Sequence, residues 1–84
     1  MARLIPANSD IEVSDFTIND LSDMQNAVGG YIEVIYHDTT RVKCLVVNEE
    51  ATLIGLPVNN RASRMLGYPL FGNVLEATLE ELNK

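Results

Sequence analysis

The chain has 84 residues, 46% of them apolar, and a formal net charge of −6 from twelve carboxylates against six basic residues. A chain of this length makes one small domain, spanning 1–84, that buries little more than half of its unfolded surface and is of modest stability. The apolar fraction argues against disorder, and the acidity disfavours non-specific attraction to nucleic acid or to an anionic membrane.

Residues 3–6 and 11–16 are short extended candidates separated by Ala7-Asn8-Ser9-Asp10, a turn-forming cluster, and together they read as a small hairpin. Thr17 or Asn19 can cap a helix that follows, with Asp20 and Asp23 in or near its first turns, where negative charge suits the helix dipole. Leu21, Met24 and Val28 recur at spacings of three and four and form one apolar stripe. Gly29-Gly30 ends the helix, because glycine takes the left-handed conformation of a helix C-terminus without a Cβ penalty.

Residues 31–37 are rich in β-branched and aromatic side chains and form the strongest predicted strand. Asp38-Thr39-Thr40 is short enough to return the chain into a second strand over 41–47 as an antiparallel hairpin. Asn48-Glu49-Glu50-Ala51 makes another polar turn before Thr52-Leu53-Ile54, so a three-stranded meander is the economical expectation. Asn59 or Asn60 can cap a short helix running to Leu66, stopped by Gly67 and Pro69. Residues 70–77 read as a last strand with a bend or bulge at Gly72-Asn73, and Thr78-Leu-Glu-Glu81 has the form of a capping box. The predicted class is α+β, an antiparallel sheet with the two short helices packed on one face. Strand order is not readable from these signals.

Cys44 has no partner cysteine for an internal disulfide and alternates with Val42 and Val46, the pattern of a core residue in a reducing compartment. The opening MARLIPANSD lacks the apolar core of a signal peptide, and no run approaches the ~18 apolar residues of a membrane span, so a cytoplasmic protein without a membrane partner is expected. With two Phe and three Tyr the core is filled mainly by Val, Ile and Leu, and self-association as a homodimer is an expected remedy for a thin core.

The order of motifs resembles a known family. A helix ending in AVGGYIEV, a hairpin carrying LVVNEEATLIGLPVN, the segment NNRASRMLG and the closing PLFGNVLEA are similar to the small domain of unknown function numbered 3846, over roughly 15–77. That family is met in bacteriophages, algal viruses and mobile elements. The resemblance implies a viral or mobile-element setting and supplies no activity, cofactor or catalytic residue. A glycine is common in the family where Ala51 stands here, which puts the backbone of that turn in question.

Several residues invite a chemical reading. Arg61 and Arg64 bring a third of the basic charge into one short helix beside Asn59, Asn60 and Ser63, with Tyr68 in the loop that follows. Such a group can hold phosphate or carboxylate, or it can be an ordinary capped helix. Glu33, Glu49 and Glu50 are candidate contacts for a partner protein, since an acidic surface can dock on a basic one, and their plainer role is solubility. Two neighbouring carboxylates in a turn indicate neither acid–base chemistry nor a metal site. His37 has no nucleophile near it in sequence, and a triad with Cys44 would have to assemble in space. With the phage or mobile-element setting that the resemblance implies, the expectation is a non-catalytic accessory protein of such an element that binds and modulates a host protein, with no cofactor and no metal. The alternative is a binder of a small anionic metabolite or nucleotide at the start of the helix containing Asn59, Asn60, Arg61 and Arg64.

Overall fold

The computed structural model describes residues 2–36 and 43–83. The first hairpin pairs β1 (Ala2–Ile5) with β2 (Ser14–Phe16), Ala2 opposite Phe16 and Leu4 opposite Ser14. The predicted second strand starts three residues late because Asn8 holds the chain in a turn. Its side-chain oxygen accepts from the Asp10 amide at 2.9 Å and its carbonyl from the Ile11 amide at 3.1 Å, a local arrangement that competes with strand pairing.

Helix α1 (Leu21–Val28) is capped by Asp20, whose carboxylate accepts from the Asp23 amide at 3.0 Å. The caps expected at Thr17 or Asn19 are not used. Asp23 instead reaches back to the Asn19 amide at 2.9 Å, so two orphan donors at the helix start are satisfied by two carboxylates. Met24 and Val28 are buried, whereas Leu21 stays 52% exposed at the end of the stripe. Gly29 closes the helix at φ 85°, as the sequence predicts, with its amide bonded to the Gln25 carbonyl.

Strands β3 (Ile32–Tyr36) and β4 (Lys43–Asn48) form the central hairpin, Val34 opposite Val46. The predicted turn at 38–40, His37, and the first residues of the returning strand lie outside the described residues. Thr52-Leu53-Ile54 is not a third strand. Asn48 starts a turn by accepting the Glu50 amide on its side chain at 2.8 Å, and the bonds Ile54 N–H to Glu50 O and Leu56 N–H to Ala51 O wind the following residues into tight turns. The true second neighbour of β4 is β5 (Val74–Thr78), which also pairs with β1. The sheet is antiparallel throughout, in the order β2-β1-β5-β4-β3.

Helix α2 (Asn60–Leu66) ends at Gly67 with φ 88°. The four-residue helix α3 (Leu79–Leu82) carries the predicted capping box, Thr78 exchanging hydrogen bonds with Glu81. Burial acts to raise the Glu81 carboxyl, and the hydrogen bonds from the Thr78 amide and hydroxyl, with a nearby positive charge and the Ala2 amide, together outweigh it, so its pKa lies below the ordinary carboxylate value.

The expected placement of both longer helices on one face is corrected by the packing. Met24 and Val28 of α1, with Leu82 of α3, pack on Ala2, Val46, Leu75 and Ala77. Ala62 of α2 packs on Ile5, Leu45, Val47 and Val74, the residues that alternate with the first set along each strand. Helices thus cover both faces of the sheet. The cause is legible in β4, where Cys44, Leu45, Val46 and Val47 are consecutive and all buried, so neither face of the central strands can be left in water.

Candidate functional site

The site is built on the α2 face of the sheet, where the segment after α2 folds back over β3 and β4. Asn59 fixes the start of α2. Its side-chain oxygen caps the helix by accepting from the Ala62 amide at 3.0 Å. Its amide group donates to the carbonyls of Ile5 at 2.8 Å and Gly72 at 2.9 Å. Ser63, one turn on, fixes the segment beyond the helix: its hydroxyl donates to the Asn59 carbonyl at 2.6 Å and accepts from the Leu70 amide at 2.8 Å. The Asn59 amide completes the tie with a 2.7 Å bond to the Leu70 carbonyl. Phe71 then bridges to Val58, and Gly72, at φ 79°, bends the chain into β5. The bend predicted at Gly72-Asn73 is therefore where the last strand begins, four residues later than 70.

Tied down in this way, Tyr68, Pro69, Leu70 and Phe71 form one wall of a cleft of about 280 Å³ whose other side is Glu33 and Ile35 of β3, Val47 at the end of β4, and Glu49 in the turn after it. Ile35, Val47 and Leu70 also belong to the α2-side core, so the cleft has an apolar floor continuous with the packed interior. Glu33 and Glu49 put two carboxylates among its lining side chains, and among the described residues no Lys, Arg or His lines it. Tyr68 is 50% exposed at the rim.

The predicted site residues fall into three groups. Glu33, Glu49 and Tyr68 meet in this cleft, which joins two candidate protein contacts to a residue expected beside the arginines. Asn60, Arg64 and Tyr68 share a shallower depression beyond the Tyr68-Pro69 wall. Asn59 and Arg61 are engaged in bonds within the fold. Asn59 is fully buried with its side chain engaged as described, and Arg61 donates from Nη2 to the carbonyls of Pro6 at 2.7 Å and Asn8 at 3.0 Å, clamping the β1–β2 connection against α2. Glu50 is exposed and donates its backbone amide to Asn48, outside the cleft lining. Cys44 is fully buried.

Sequence reasoning did not find Ile35, Val47, Leu70 and Phe71 as a site. One signal was available, since Glu33 and Ile35 share a strand face by period two, but the wall that completes the cleft comes from a non-local return of the chain. Among the described residues no cluster of three or more His, Cys, Asp or Glu side chains is placed to hold a metal ion. No helix among them is long and apolar enough to cross a membrane.

The two arginines of α2 separate in a stability measurement. Arg61→Ala is expected to lower stability by about 1–2 kcal/mol, because two carbonyls lose charge-assisted donors, and Arg64→Ala, on the exposed side of the helix, to stay within about 0.5 kcal/mol of the parent. Urea midpoints of the two variants check this.

The family model described as Domain of unknown function (DUF3846) matches residues 2–82. That is nearly the whole chain, and the chain belongs to this family. No curated protein and no solved structure matches it.

Proposed function

We propose that this member of the DUF3846 family is a non-catalytic protein-binding module whose cleft receives a basic segment of a partner protein. The observation that carries the reading is the combination in one concavity of an apolar floor from Ile35, Val47 and Leu70, two lining carboxylates from Glu33 and Glu49, and an exposed aromatic at the rim. A lysine or arginine side chain fits that combination, with its methylene stem on the apolar floor, its cationic head on the carboxylates, and Tyr68 placed for a cation–π contact. The net charge of −6 adds long-range attraction for such a segment. The family's occurrence in phages, algal viruses and mobile elements supports, by association, a host protein in the host cytoplasm as that partner.

The anionic-ligand alternative draws less support. Asn59 and Arg61 are engaged inside the fold, and the depression lined by Asn60, Arg64 and Tyr68 has Arg64 as its one cationic side chain among the described residues.

The test is fluorescence anisotropy with a labelled lysine-rich peptide. The parent is expected to bind in a salt-sensitive manner, and the double variant Glu33→Gln/Glu49→Gln to lose roughly tenfold or more in affinity, with Arg64→Ala unchanged. Equal affinity of the parent and the double variant sinks the reading.

A further inference from the structure

Strand β3 is an edge of the sheet, with β4 as its neighbour on one side among the described residues. The bond from the Glu49 amide to the Tyr31 carbonyl, at 2.8 Å, sets the alternation of the β3–β4 ladder. Tyr31, Glu33 and Ile35 direct their backbone groups to β4, and Ile32 and Val34 direct theirs outward, along the open edge. Natural edges are blunted by brevity, charged side chains, proline or a bulge. The opposite edge, β2, is three residues long and carries Asp15. β3 has five residues, reads IEVIY, and has Glu33 as its one charge.

We propose that a second copy of this chain pairs with β3, antiparallel and about a two-fold axis through Val34, to make one continuous ten-stranded sheet. The register is self-complementary. Val34 faces Val34 of the partner subunit as a hydrogen-bonded pair, and Ile32 lies opposite Tyr36 of the partner subunit. Both pairs are apolar and lie on the α1 side of the sheet. On the other side Glu33 lies opposite Ile35 of the partner subunit, so the two carboxylates are never directly opposed. A shift of register by one residue would turn the outward amides away from each other.

A second feature leads to the same edge. Beside β3 on the α1 side runs an apolar groove of about 350 Å³ in which Ile32, Val34 and Tyr36 meet Leu21 and Leu79. Leu21 is 52% and Tyr36 45% exposed. The pairing sets this groove beside its counterpart across the seam, so that the apolar side chains of β3 that rim it gain apolar neighbours from the partner subunit. Because the axis stands perpendicular to the sheet, both acidic clefts emerge on the same side, flanking the seam, and Ile35 of the partner subunit adjoins Glu33. The pairing stands independently of the peptide-binding reading.

Light scattering coupled to size exclusion on the full chain is expected to give twice the 9.3 kDa of one chain. Val34→Pro removes an outward amide that β4 does not use, and is expected to halve that mass while far-UV circular dichroism stays native. Val34→Cys brings two cysteines to the axis at a separation of roughly 5.5 Å between Cα atoms, within disulfide reach, and is expected to yield a covalent dimer on oxidation where the parent yields none. A monomeric parent at micromolar concentration overturns the proposal, as does a folded Val34→Pro variant that stays dimeric. If Val34→Pro unfolds, the cysteine variant decides: a covalent dimer supports this register, and a dimer that fails to cross-link overturns it.

Discussion

Asn59→Ala is expected to destabilise the protein by about 3 kcal/mol, from the loss of a helix cap worth roughly 1 kcal/mol and of partners for two buried carbonyls at about 1–3 kcal/mol each, discounted because the three bonds are coupled. The residue is completely buried, and its side chain is the point at which three separate segments meet: the end of β1 through the Ile5 carbonyl, the bend before β5 through the Gly72 carbonyl, and the first turn of α2 through the Ala62 amide. For a domain of 84 residues the whole stability is of the order of 4–13 kcal/mol, so the variant forfeits a large part of it. Thermal unfolding followed by circular dichroism should show a drop of about 15 °C, since 1 kcal/mol corresponds to roughly 4–8 °C in a domain of this size. Asn59→Asp is the informative companion. It retains the cap oxygen but sets a buried carboxylate oxygen against the Ile5 and Gly72 carbonyls, so it is expected to be no more stable than Asn59→Ala. A variant as stable as the parent would show that these carbonyls find other partners, and that the α2 segment is not held by this residue.

The same residue shows how far the sequence could be read. That an asparagine near 59 or 60 caps a helix stopped by Gly67 follows from local chemistry, and the structure places the cap at Asn59 and the stop at Gly67. The two donor bonds join Asn59 to residues 54 and 13 positions away, and no local signal carries them. The division recurs elsewhere. The Gly29 stop and the Thr78 capping box are local and were legible, whereas the insertion of β5 between β1 and β4 depends on side-chain packing across the whole chain. The error at Thr52-Leu53-Ile54 has a local cause of another kind. β-branched and aliphatic residues suggested a strand, and the Asn48 side chain, by capturing the Glu50 amide, committed the chain to turns before any pairing could form. The cleft followed the same rule. Its carboxylates stand out singly, and the wall of residues 68–71 that makes them a site is delivered by the bond from the Leu70 amide to the Ser63 hydroxyl and the bond from the Asn59 amide to the Leu70 carbonyl.

Leu45→Ala is expected to cost about 3 kcal/mol, within the range of roughly 2–5 kcal/mol for truncating a leucine in a core that cannot collapse around the gap. Leu45 is in the middle of β4, fully buried, with Ile35 and Glu76 on the flanking strands and Ile5, Ala62 and Val74 in the same cluster. Leu45 is itself held on both sides by ladders, and Ile5 and Val74 in the cluster are paired with each other, so the backbone has little freedom to close the cavity. Leu53→Ala is the control. That side chain is 81% exposed in the turn after β4, and its truncation is expected to shift stability by no more than about 0.5 kcal/mol. The pair also tests how the site is supported, because Ile35, Val47 and Leu70, which floor the acidic cleft, rest on the same cluster as Leu45. At a temperature where Leu45→Ala remains folded, it should bind the lysine-rich peptide more weakly than Leu53→Ala does, through a floor that has lost its backing while Glu33 and Glu49 are untouched. Equal stability of the two variants would mean that the α2 face is not a packed core, and the apolar floor on which the cleft depends would go with it.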